Sequence, residues 1–477
     1  MWNAFASGEP VDLGGADGDE PATVRAEVIA ALLRGVRPPE PGQAPGLLLR
    51  RARITGVLDL TYAQVTAPAR LEECRFDGEP DLTCASTRGL AFASCELPGF
   101  SGRLLRVEGN LDLRRSVVRG RLSLIRATIT GELRLHGARL LNPDGWALFA
   151  GGLTVESAVF GAYPLREASP EHPPLVVEGG VRLAGARLLG GVFLGGAQVR
   201  NPGKVAISGE NLTVFGRMVC DKGFTAEGHL SLPHARVDGE LSFADAVLTD
   251  ADAEISLNNA KVDDLNLRAA APIASLVDLR HARCNVIRDD PATWPARVAL
   301  DGLAYDAIDA PDRGPDVAGR MGWLRRDVHG YRPQPYEQLA ALYRRLGDDA
   351  DARRVLLEKQ RRRRRELRAP SRMLGRLLDW TVGYGYRPWR AALWLIVMLA
   401  VGTAVFSAWP PAAVTTGRRF DAVMYTFDLL LPISAFGLRE AFIPVGSTRW
   451  LAYGLTAAGW LLATALLAGI TRALRRD

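Results

Sequence analysis

From Gly109 the chain reads Gly-Asn-Leu111-Asp-Leu113-Arg-Arg-Ser116-Val-Val118, and from Gly120 it reads Gly-Arg-Leu122-Ser-Leu124-Ile-Arg-Ala127-Thr-Ile129. A third copy starts at Gly131. The frame is apolar, x, apolar, x, x, small, x, apolar, with a step of eleven residues between adjacent copies. It recurs with first apolar positions at Leu58, Leu153, Val181, Val192, Leu230, Leu241, Ile255, Leu265 and Val277, twelve copies in all. Repetition this dense predicts a solenoid. Apolar residues two apart share one face of a strand, so each copy supplies two short strands with a corner between them. A helical period cannot place Leu111, Leu113, Ser116 and Val118 on one face and leave Asp112 and Arg114 off it.

Pairing of successive coils satisfies the backbone, and stacks of like side chains fill the interior. The spacing of inward pairs resembles the pentapeptide-repeat family, whose four-sided right-handed β-helix turns a corner every five residues. Here two copies make one coil of about 22 residues, with an extra residue in every second side. The predicted class is mainly β: a right-handed parallel β-helix, a pentapeptide-like solenoid, over 46–288. Cys74 and Cys95 fall at the small inward position and read as core residues. A redox pair would need neighbouring coils to bring the two sulfurs within disulfide reach. His234 and His281 fall at solvated corners just before the small residue, without the further ligands a metal site needs. The pairs Gly179-Gly180, Gly190-Gly191 and Gly195-Gly196 recur with the repeat and read as turn glycines. A dinucleotide loop would need a following amphipathic helix, and no helical period occurs between Leu49 and Asn285.

Apolar residues return to helical spacing over Ala22–Leu33, which predicts a cap on the open end of the β-helix within an N-terminal segment 1–45. A Pro- and Asp-rich linker, 289–334, leads to a helical hairpin, Pro335–Tyr343 and Ala352–Leu367, in a segment 335–388. The placing of Tyr336, Leu339, Ala340, Tyr343, Gly347, Ala352 and Val355 resembles one tetratricopeptide-type hairpin and reads as a rigid arm.

Two uncharged apolar runs, Ala391–Ala408 and Trp450–Ile470, have about the length a helix needs to cross a bilayer and carry aromatic and basic residues at their rims. They predict a two-span α-helical membrane region over 389–477. From Arg353 to Arg376 there are eleven basic residues against Glu358 and Glu366. Beside an apolar run, such charge predicts a cytoplasmic location for both termini and for the bulk of the chain, in a multi-pass protein of the cell membrane. Arg361, Arg362, Arg363, Arg364 and Arg365, with Trp389, Trp409 and Trp450, are the expected contacts with anionic lipid headgroups, in preference to nucleic acid. Met1–Pro21 is acidic and Gly-rich, without a secretory signal. Five cysteines with no Cys-x-x-Cys pair fit a reduced compartment.

Between the apolar runs, Phe420–Leu431 reads as a helix of about three turns, followed by Pro432, Ile433, Ser434, Ala435, Phe436 and Gly437. The order resembles pore-loop ion channels, and these six residues are the candidate pore loop; a potassium filter is unsupported, because it needs a Thr-Val-Gly-Tyr-Gly type loop. An interfacial helix explains Asp421 and Asp428 equally well. Gly454 with Ala458, and Ala465 with Gly469, are small pairs suited to helix contact between subunits. The whole arrangement is similar to a group of actinobacterial membrane proteins often labelled membrane-associated oxidoreductase. That resemblance implies a redox activity, yet the chain offers no flavin or nicotinamide loop, haem ligand set or redox-spaced Cys pair. No catalytic, cofactor or metal residue is assigned. The leading expectation is a non-enzymatic, homo-oligomeric platform whose β-helix binds an unidentified protein or small molecule. A channel or sensor gated by the β-helix stands second.

Overall fold

The computed structural model describes residues 1–14, 22–36, 42–162, 173–310, 316–366, 388–414, 419–431 and 436–474, with backbone alone at 364–366, 388–391 and 465–474. The chain divides into two compact units, Met1–Gln338 and Leu339–Asp477.

The first unit is a parallel β-solenoid of about twelve turns. One inward column runs by register from Leu47 through Ala69, Leu90, Leu111, Leu133, Val159, Val192, Met218, Leu241, Leu265 and Ile287 to Ile308. Its members are buried from Leu47 to Ile287, as period-two alternation demands. The second copy of each coil builds another wall: Leu122 pairs with Leu148, then Val181, Ile207, Leu230, Ile255, Val277 and Val298.

The corner before each small residue is left-handed. Arg51, Tyr62, Glu73, Cys84, Ser94, Leu104, Arg115 and Arg126 all have φ between 52° and 58°. This conformation costs an L residue roughly 1–2 kcal/mol, and among the described residues β-branched side chains are absent from all fourteen non-glycine positions of this kind. The solenoid accepts the cost because the corner keeps both flanking strands in register. Leu104 is exposed at such a corner, so Leu104→Gly is expected to raise unfolding free energy by up to about 1 kcal/mol, read by denaturant titration. A loss of stability there would remove the strain argument.

Both ends are closed by other elements. Strands Val11–Asp12 and Thr23–Arg25 add to the first coil. After α1 (Trp2–Ser7), helix α2 (Ala26–Leu33) buries Ala26, Ile29, Leu32 and Leu33 and starts later than the expected Ala22. At the far end the expected linker continues the solenoid: Val298–Ala299 and Ala304–Asp309 are its last strands. Helix α3 (Val317–Leu324) then packs there. Its Arg320 and Asp289 are both about 2% exposed and form a two-pronged ion pair, with one Arg320 nitrogen 2.6 Å from Asp289 Oδ1. The Trp294 indole N–H donates to the same carboxylate at 2.8 Å, and the Arg320 guanidinium lies over the Trp294 ring at 5.0 Å.

Helix α4 (Pro333–Arg345) begins against the last strand. Gln334 Oε1 accepts from Gly302 N at 3.0 Å while its Nε2 donates to Leu303 O at 2.8 Å, and Gln338 Nε2 donates to Tyr305 O at 2.6 Å. These side-chain amides take the place of a further coil's peptide groups. Helix α5 (Asp349–Glu366) follows α4 after a short turn.

The second unit continues with α6 (Pro388–Ala408), α7 (Ala422–Leu430), α8 (Leu438–Ala441) and α9 (Thr448–Leu474). It corrects the fold class read from the sequence. Among the described residues no helix is long and apolar enough to cross a membrane, so the two-span membrane region does not stand. Both runs include small and hydroxylic residues: Gly402, Thr403 and Ser407 in α6, and Gly454, Thr456, Gly459 and Thr464 in α9. Part of their apolar surface also faces inward. Phe406, Tyr425, Leu429, Ala452 and Leu455 form one buried cluster that holds α7 against both longer helices.

Candidate functional site

The solenoid wall carries a concavity among its first coils. The outward neighbours of the first column are Leu48, Arg70, Ala91, Asp112 and Arg134 in successive rungs. Ala91 and Gly89 are small, and the hollow above them, about 350 Å³, is bordered by Arg70, Asn110, Asp112 and Arg134. Each charge there has a local partner. Asp112 accepts from Arg114 N at 3.0 Å and Arg114 Nε at 2.8 Å, Arg134 pairs with Glu132 at 2.6 Å, and Arg70 pairs with Glu72 at 3.4 Å. Asn110 Oδ1 accepts from Glu132 N. The hollow thus has a mostly apolar floor with a charge-balanced rim that can hydrogen-bond a ligand, and among the described residues no hydroxyl or thiol nucleophile borders it.

Asp112 is nearly fully buried, although its place in the repeat predicts an outward residue. The same clasp recurs at Leu276-Val277-Asp278-Leu279-Arg280, where Asp278 takes hydrogen bonds from Arg280 N and from both sides of its guanidinium. Burial pushes the Asp278 carboxyl up, and the Arg280 hydrogen bonds outweigh it and hold the group below the usual carboxylate range. The Asp-x-Arg spacing was the available signal: a short acid bonds its own backbone two residues on and is roofed by the arginine.

The corner residues His234 and His281 have φ of 57° and 56° and are exposed, with His281 packed where a side chain on Gly302 would collide. Among the described residues no group of three His, Cys, Asp or Glu could hold a metal ion. The glycine pairs have a packing reason. A side chain on Gly179 would collide with Asn142 O and one on Gly190 with Ser157 O, as one on the single Gly228 would with Asn201 O. Asn142 and Asn201 each open an Asn-Pro loop and clasp the carbonyl four residues on, Trp146 O at 3.0 Å and Val205 O at 2.7 Å.

In the helical unit, Arg361, Arg362 and Arg363 lie on α5, with Arg362 Nε 3.3 Å from Glu358. The side chains of Arg364, Arg365, Trp389, Ala465 and Gly469 lie outside the described residues, as do Pro432, Ile433, Ser434 and Ala435 of the candidate pore loop. Phe436 packs on Phe427 with ring centroids 6.2 Å apart, and Gly437 has φ 62° at the start of α8. Asp428, read from sequence as an outer polar group, is fully buried; its carboxylate accepts from Phe436 N, Leu438 N and Arg439 N at 3.0–3.2 Å. It braces the return of the chain. Gly454 faces open space, so it makes no close helix contact within the chain. Gly402 and Gly459 do: a side chain on either would strike Thr426 or the backbone of Leu430.

The outer surface of α6, α7 and α9 is apolar. Trp450 is 77% exposed, Leu461 73%, Trp409 66% and Ile396 63%. Indoles stand among these exposed aliphatic side chains, a surface that monomers seldom leave bare. Comparison with protein families, with curated proteins and with solved structures finds no match to this chain.

Proposed function

We propose that the chain is a binding and assembly platform held at a cell membrane, its helical unit contacting a lipid bilayer with anionic headgroups and its β-helix offering the surface for a protein or small-molecule partner. One observation carries the reading: large aliphatic and indole side chains stand exposed along α6 and α9, and water-soluble monomers rarely leave contiguous apolar patches uncovered. Indoles suit the boundary between headgroup and acyl chain, and each arginine near an anionic surface adds on the order of 1 kcal/mol. Gly454 and Ala458 leave a shallow strip on α9 that suits contact with a second copy, in keeping with a homo-oligomer.

Flotation with liposomes tests this. The full chain is expected to float with vesicles containing phosphatidylglycerol, and charge reversal of Arg361, Arg362 and Arg363 to Glu should weaken association by roughly a hundredfold or more. Protein that stays monomeric and lipid-free in detergent-free buffer would remove the proposal.

A further inference from the structure

We propose that Cys74 and Cys95 are a disulfide-forming pair, a modification site inside the β-helix that stitches two successive coils when a peroxide reaches it. Both occupy the small inward position of their coil, where Ala52, Ala127 and Ala138 stand in other coils. Register makes them stacking neighbours: Arg75 pairs with Glu96, and Glu96 N donates to Cys74 O at 2.9 Å. Parallel neighbours stand about 4.8 Å apart, inside the range of Cα separations a disulfide bridges. The two side chains lean the same way. Cys74 Sγ points to Leu49 O at 3.7 Å and Cys95 Sγ to Leu71 O at 3.4 Å, each toward the preceding coil, which brings the Cys95 sulfur over the coil carrying Cys74.

All five cysteines are reduced in this structure. Stacking separates the acidities of the two thiols: the neighbouring Cys95 thiol holds Cys74 below the ordinary range, while burial pushes Cys95 up. Cys74 is therefore the attacking group. Its thiolate displaces hydroxide from hydrogen peroxide to give a sulfenic acid, and the hydroxide takes a proton to become water. Cys95 then attacks that sulfur, and its proton leaves with the sulfenic hydroxyl as a second water. Two thiols lose two electrons in total, and one peroxide gains them.

The test uses the full chain, native, treated with hydrogen peroxide and then alkylated after unfolding. The expected result is loss of two alkylatable thiols, a Cys74–Cys95 linked peptide that reductant reverses, and a rise of roughly 5 °C in the thermal midpoint of the β-sheet signal. In Cys95→Ser, Cys74 should instead stop at a sulfenic acid trapped by dimedone. The proposal is overturned if both thiols survive conditions that oxidise the less buried Cys84, or if either links to Cys84 instead. Should Cys95→Ser fail to fold, the thiol count on the unaltered chain still decides.

Discussion

Asp289→Ala should lower the unfolding free energy of the β-helix by about 3–5 kcal/mol, because it leaves a guanidinium buried without its counter-charge. The environment offers Arg320 little else. It is about 2% exposed, both prongs of its ion pair end on Asp289, and its flat face is taken by Trp294. Trp294 loses an acceptor for its indole N–H in the same change. Taking both charges away together should be milder, so Asp289→Leu combined with Arg320→Met is expected to recover much of the loss. Urea unfolding followed by far-ultraviolet circular dichroism reads both variants. A double variant as unstable as Asp289→Ala alone would show that shape, and not unpaired charge, governs this end of the fold.

Ala127→Asp should leave the chain insoluble or unfolded, while Arg126→Asp next to it should be tolerated. Ala127 has no exposed surface and sits in the stack between the coils of Leu105 and Leu153, where a carboxylate meets only apolar neighbours. Arg126 stands at a left-handed corner with φ 52° and is exposed, and aspartate accepts that conformation better than most residues. Soluble yield and thermal midpoint measure the contrast. Equal tolerance of the two changes would break the assignment of inward and outward positions on which the twelve rungs rest.

Most of the solenoid could be read from the chain because its physics is local and repeated. Leu111, Leu122 and Leu133 lie inward as the frame predicts, and the glycine and histidine corners fall where it puts them. One copy is out of phase. Leu153 follows the left-handed Gly152 and fills the small position, whereas Leu148 is the first inward residue of that coil. The longer Asn-Pro loop at 142–146 had moved the frame. The last rungs went unread because Pro and Asp crowd 289–297 and hide the inward run Val298, Leu300 and Leu303.

The candidate contacts were less legible. Trp409 and Trp450 are exposed, and the close helix approaches belong to Gly402 and Gly459, because α7 packs against both α6 and α9. An apolar run reports how greasy a helix is, not which of its faces a neighbouring helix will cover. That limit also explains the two-span reading. The buried Asp112 and Asp428 escaped for a related reason: what desolvates them is a partner two residues away in one case and eight to eleven away in the other.

The glutamines at the start of α4 have a consequence for self-association. A stack of parallel coils is a template at its last strand, where every free peptide group invites an identical strand from another molecule to continue the lattice. Gln334 and Gln338 occupy those peptide groups at Gly302, Leu303 and Tyr305. The rod therefore has a fixed number of rungs and a blunt terminus. Fibre growth from that end would first require α4 to peel away together with Arg326–Val328, which bonds both sides of Val298, so a stop written in a few local hydrogen bonds separates a single solenoid from a polymer.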